Sequence, residues 1–145
     1  MKRASIAICR VGIVGLLFAS LTGCGLFPKH EFRAPAKDWK MRNGQLMYRT
    51  GQMKVVGDVL VRFSKSGEFE LTFSKGPGVT LFTIRQDATF AEVKSSLAHL
   101  SWSGPVDRAP SQLRGWLGLR EKVISAPDDK VIQHTTETET FVFRF

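Results

Sequence analysis

On either side of a turn, over 59–63 and 69–73, large apolar side chains recur at every second position. Val59, Val61 and Phe63 alternate with Leu60, Arg62 and Ser64. After a Ser66-Gly67 turn, Phe69, Leu71 and Phe73 alternate with Glu68, Glu70, Thr72 and Ser74. A period of two sends successive side chains to opposite faces of a strand, so this stretch can bury its apolar half only as part of a sheet. On that reading Glu68 and Glu70 share the solvated face. The pattern continues on both sides. Leu46 and Tyr48, then Met53 and Val55, read as a first strand or a hairpin around Gly51. Gly76-Pro77-Gly78 punctuates the chain before Val79, Leu81 and Thr83 oppose Thr80, Phe82 and Ile84, an apolar run expected to be covered on both faces. Phe90, Ala91 and Val93 give a further strand, and Ser101-Trp102-Ser103-Gly104-Pro105 ends another. Strands at roughly ten-residue spacing form a meander, so the sheet should be antiparallel and the fold mainly β, of the α+β class.

One segment departs from this pattern. Across Pro110–Arg120, Leu113, Trp116, Leu117 and Arg120 share a helical face, which predicts one helix near 110–122. Pro110 suits a first helical turn. Gly115 and Gly118 each cost about 1 kcal/mol relative to Ala in a helix, so their presence implies close packing against the sheet. Pro127-Asp128-Asp129 reads as a solvated turn. From Val131 the chain is read as a last strand pair or one long strand, ending in the alternation Phe141, Phe143, Phe145.

The N-terminus reads as an address. Lys2, Arg3 and Arg10 precede an apolar stretch from Val11 to Leu21, followed by small residues. This is the pattern of a secretory signal peptide, and it is shorter than the ~20 residues a spanning helix needs. Leu21-Thr22-Gly23-Cys24 resembles the bacterial lipobox. That resemblance implies cleavage before Cys24, with diacylglycerol on its sulfur and an N-acyl chain on its amine. The covalent lipid is the only attached group expected, and no cofactor or metal is expected. Two or three acyl chains give stable anchoring where one is marginal. Gly25, in place of an Asp retention signal, favours the cell outer membrane, with the domain facing the periplasm. The division expected is a signal peptide over 1–23, a lipidated tether over 24–44 and a single β domain over 45–145.

Composition narrows the chemistry. The 145 residues carry 21 Lys+Arg and 13 Asp+Glu, a net charge of +8 that falls to +5 without Lys2, Arg3 and Arg10. The charges are dispersed, and no basic run interleaved with aromatics points to nucleic acid. Cys9 falls in the leader, so the mature chain holds only the acylated Cys24. His30, His99 and His134 lack ligand spacing and read as chance surface residues. No nucleophile motif occurs, and Gly76-Pro77-Gly78 lacks the Lys-Ser/Thr helix of a phosphate loop. An enzyme is not expected. Aromatic residues are abundant, and their inward face can either fill a core or line a greasy cavity.

The stretch from Gly57 to Arg120 resembles the outer-membrane lipoprotein receptor family of the lipoprotein-sorting system (LolB-like, in the LolA/LolB superfamily). The matching pieces are Phe69-Glu70-Leu71-Thr72-Phe73-Ser74, Gly76-Pro77-Gly78-Val79-Thr80-Leu81 and the helix Ser111–Leu119, together with the lipobox. The resemblance implies a curved antiparallel sheet or incompletely closed β-barrel, with one helix packed as a lid over an apolar cavity for acyl chains. It places Phe69, Leu71, Phe73, Leu81, Leu113, Trp116 and Leu117 at that cavity or lid. The function implied is binding acyl chains to assist lipoprotein or lipid insertion, with membrane lipid met through the anchor and acyl chains or lipoproteins as cargo. The alternative is a structural or interaction lipoprotein with a filled core that docks on another envelope component.

Overall fold

The computed structural model describes residues 29–145, so the leader and Cys24 lie outside the described residues. Among the described residues the alternation resolves into eight strands: β1 (Lys40–Thr50), β2 (Lys54–Phe63), β3 (Phe69–Ser74), β4 (Thr80–Gln86), β5 (Phe90–Ser95), β6 (Leu100–Pro105), β7 (Val131–Thr135) and β8 (Glu139–Arg144). They form one antiparallel sheet in the order β6-β5-β4-β3-β2-β1-β8-β7. The first six strands are a meander. The chain then leaves one edge, runs through a short 3-10 turn at Ser111–Leu113 into helix α1 (Arg114–Ser125), and adds the β7–β8 hairpin beside β1. β6 and β7 do not pair, so the sheet is curved but open, an incomplete barrel with α1 across it.

Register explains why the inner face is apolar. Val61, Leu71, Ile84, Val93 and Trp102 lie in one cross-strand row, and Val59, Phe73, Phe82, Ser95 and Leu100 lie in the next. On the other flank, Leu46, Phe143 and Ile132 form a row, as do Tyr48, Phe141 and His134. Because side chains two apart share a face, the alternation in each strand and the pairing between strands agree on a single inner surface. Leu113 of the 3-10 turn and Trp116, Leu117, Leu119 and Val123 of α1 close over it.

The outer face is polar and held by cross-strand charges. Arg62, Glu70, Arg85 and Glu92 form one row. The Glu70 carboxylate is 2.6 Å from an Arg62 nitrogen and 3.2 Å from Arg85 Nε.

Three local expectations are corrected. The strand expected to be covered on both faces is covered on one. Thr83 and Arg85 alternate outward, Val79 is exposed, and Leu81 joins the core because it is the extra residue of a β-bulge opposite Phe73 and Ser74. Glu68 does not share a strand face with Glu70. It lies in the β2–β3 turn, where it accepts hydrogen bonds from the Ser64 and Ser66 hydroxyls. These bonds hold its carboxyl below the usual carboxylate range. The boundary between tether and domain at 44/45 moves back, since β1 begins at Lys40 and pairs with Phe63. The preceding residues are also held: the Phe32 ring meets Phe90 at 6.0 Å edge-on and lies under Arg85, and Arg33 Nη1 donates to Ser66 Oγ at 3.0 Å. Glu31–Phe145 form one compact unit.

Candidate functional site

The two glycines of α1 let the helix lie close to the β7–β8 hairpin. A Cβ on Gly115 would collide with the Glu139 carboxylate and press on the Phe141 ring, and one on Gly118 would come 3.0 Å from His134 Nε2. The expected close packing against the sheet is therefore present, and it falls on the hairpin that follows the helix. At the opposite side of α1, Arg120 Nε donates to the Gly67 carbonyl at 2.7 Å and ties the helix to the β2–β3 turn.

This docking fixes Trp116, which is 3% exposed. Its ring stacks on Phe82 with centroids 3.8 Å apart and 15° between planes. Tyr48 lies at 4.8 Å, Phe141 at 4.9 Å edge-on and Phe73 at 6.1 Å. Four strands thus contribute rings to one indole, which makes Trp116 the joint between lid and sheet.

Beside this cluster a pocket of about 360 Å³ opens between the start of α1 and one end of the sheet. That volume is within the ~300–1,000 Å³ range of small-ligand clefts. Phe82, Leu97, Leu100, Leu113 and Trp116 supply its apolar walls, with Met53 and Ala98 also lining it. Ser95, Gln112, Tyr48 and Glu139 supply its polar groups, and the last two are paired: the Tyr48 hydroxyl donates to Glu139 Oε1 at 2.7 Å. Burial, and then the bond to the Glu139 carboxylate, push the Tyr48 hydroxyl well above the ordinary phenol value, so it remains a donor.

Of the seven residues placed at a cavity or lid, Leu113 and Trp116 line this pocket. Phe69, Leu71 and Phe73 are packed core beneath the helix, at most 1% exposed. Leu81 belongs to the same core, and Leu117 lines a separate cleft of about 250 Å³ with Gln86, Ala88 and Val106. The inward parity was read correctly for Phe69, Leu71 and Phe73. Their space is filled, because rings from β1, β4 and β8 and the helix occupy the concavity.

Sequence reasoning missed Tyr48 and Glu139 as a pair. The signal was parity. Glu139, Phe141 and Phe143 fall on the same side of β8, so a carboxylate had to face the apolar interior and find a donor there. His134 is also more than a chance surface residue, since its ring stacks on Phe141 at 5.7 Å beneath Gly118.

Burial, followed by the Lys122 charge, lowers the His134 pKa below its ordinary 6.5, while Glu139 and the Gly115 main chain oppose the shift. A lowered histidine pKa favours the neutral form in the folded state. Its contribution to stability is complete above about pH 6.5 and is lost as pH falls through the ordinary value towards the folded one. We expect the urea midpoint of the chain to fall between pH 7 and pH 5, and His134→Gln to remove part of that slope. An unchanged slope would separate His134 from the acid sensitivity.

Among the described residues, no group of three or more His, Cys, Asp or Glu could hold a metal ion, and no helix is long and apolar enough to cross a membrane. No protein-family model matches the chain, and no curated protein matches it.

Proposed function

We propose that this chain is a lipoprotein anchored through Cys24 at the outer membrane, where it receives an acyl chain between its helical lid and the open sheet and assists lipoprotein or lipid insertion. The pocket at Trp116 carries this reading. Its walls are largely apolar side chains with a few polar groups among them, it is bordered by α1, and it is large enough for a ligand. An open antiparallel sheet with a single helix across it is also the architecture that the lipoprotein-receptor resemblance implies. The role of the site is solvation: an acyl chain leaving water gains about 0.8 kcal/mol for each methylene buried. The docking lipoprotein with a filled core is the second reading, and the packing of Phe69, Leu71 and Phe73 favours it.

The full-length chain in phosphatidylcholine nanodiscs containing a phospholipid with a photoreactive acyl chain separates the two. The acyl-binding reading expects cross-links at residues 97–100 and 112–116. It also expects Ala98→Trp, a substitution at an exposed position on the pocket wall, to reduce them severalfold without lowering the unfolding midpoint. Labels scattered over the outer face, or confined to the segment near Cys24, would leave the docking reading in place.

A further inference from the structure

We infer that the Trp116 pocket discriminates by the polar end of its guest, taking alkyl chains that end in an ammonium or another N–H donor and rejecting chains that end in a carboxylate. This inference rests on the reading that the pocket holds an alkyl chain and adds which chains it holds.

The residues lining the pocket are Tyr48, Met53, Phe82, Ser95, Leu97, Ala98, Leu100, Gln112, Leu113, Trp116 and Glu139, and Glu139 is the one formal charge among them. No cation among the described residues lies within ion-pair distance of the Glu139 carboxylate. Its Oε1 accepts the Tyr48 hydroxyl, while Oε2 lies against Gly115, in the space an added side chain would take, with no hydrogen-bond donor of the described residues on it. His134, the nearest titratable base on the same hairpin, is held towards its neutral form by burial and Lys122. The site therefore offers a guest one carboxylate with spare acceptor capacity, set among apolar walls that screen it less than water does.

An anionic head group brought beside that carboxylate meets like charge in a partly desolvated site, which disfavours it. An ammonium head meets the opposite charge and supplies the donors the carboxylate lacks. The chain as a whole is basic, at +8. Nonspecific attraction therefore favours anionic amphiphiles, and a preference for ammonium has to come from the pocket itself.

The test uses the full-length chain in phosphatidylcholine nanodiscs, titrated calorimetrically with octylammonium, octanol and octanoate at pH 7, with empty discs subtracted. The inference expects octylammonium to bind at least about tenfold more tightly than octanoate, with octanol between them. It expects Glu139→Gln, which keeps the shape and still accepts from Tyr48, to collapse that ratio towards equality. Tyr48→Phe keeps the carboxylate and removes its donor, so the ratio should widen, and this variant keeps the test decisive if Glu139→Gln unfolds. Equal binding of the three probes would overturn the selectivity and leave the alkyl pocket standing. Failure of all three to bind a folded chain would overturn both. A preference that survives Glu139→Gln would overturn the assignment to Glu139.

Discussion

Trp116→Ala is expected to lower the unfolding free energy by about 4 kcal/mol, within the 3–5 kcal/mol typical of deleting a buried large aromatic. The reason is geometric. The indole is 3% exposed and touches rings from β1, β3, β4 and β8. Its loss removes the transfer energy of the ring, and also aromatic pair terms of about 0.5–1.5 kcal/mol each that are not independent of one another. Collapse cannot recover the space cheaply, because α1 is already held at both flanks by Arg120 on Gly67 and by Gly115 on Glu139. Against a total stability of about 5–15 kcal/mol, this is a large share. Trp116→Phe should cost less than half as much, since a six-membered ring can keep the stack on Phe82. Trp102, half-buried on the edge strand β6, is the comparison, and Trp102→Ala should cost about 1–2 kcal/mol, in line with a partly exposed side chain. Urea unfolding of the three variants at constant m-value checks the order. Equal losses at Trp116 and Trp102 would mean that the lid contributes little to the fold.

Most of the sheet was legible because alternation is a local signal, and each strand states its own inner face. The inner rows of β2 and β3 follow from Val59, Val61, Phe63, Phe69, Leu71 and Phe73 alone once a meander is assumed. What was not legible has three physical causes. The first half of β1, Lys-Met-Arg-Asn-Gly, is polar; its inward positions Arg42 and Gly44 carry no apolar signal, so it read as tether. There Arg42 instead lies over the Phe145 ring and donates to the Asp129 carbonyl. The bulge at Leu81 shifts parity within one strand, which no fixed period can anticipate. The third cause governs the site. Periodicity says which side chains face inward, and only the meeting of several elements says whether the space between them is full. Phe69 and Phe73 sit where the concavity is filled, while Leu113 and Trp116 sit at its end, where the strands stop and the loop around Leu97 leaves a gap. The seven residues named from the resemblance therefore divide between strand positions in the packed core and positions at the start of the helix that border an open space.

Gly57→Ala is the substitution expected to damage the curvature itself. Gly57 pairs with Leu46 on β1, just beyond the last β2–β3 partners Asp58 and Ser74. There the β3 chain crosses so close that an added Cβ would collide with the Ser74 carbonyl, come 2.9 Å from the Phe73 ring and lie 3.1 Å from the Ser74 carbonyl carbon. Two opposing effects must be weighed. Alanine gains about 0.5–1 kcal/mol over glycine in a strand, because the unfolded chain loses less freedom. Overpacking against neighbours usually costs about 1–3 kcal/mol, and more where the obstacle is main chain held on both sides by a sheet. The clash wins, and a net loss of about 1–2 kcal/mol is expected from the difference. Gly51, in the β1–β2 hairpin, has nothing within 4 Å of its added Cβ, so Gly51→Ala should stay within about 0.5 kcal/mol of the parent. The consequence also reaches the pocket, because flattening β3 against β2 moves Phe73 and, through it, the ring cluster around Trp116. Gly57→Ala should therefore lose midpoint in urea and also change the near-ultraviolet circular dichroism of the tryptophans, whereas Gly51→Ala should change neither. Equal stability of the two variants would show that the sheet relaxes at Gly57, and the close strand crossing would then not be needed to shape the concavity that α1 covers.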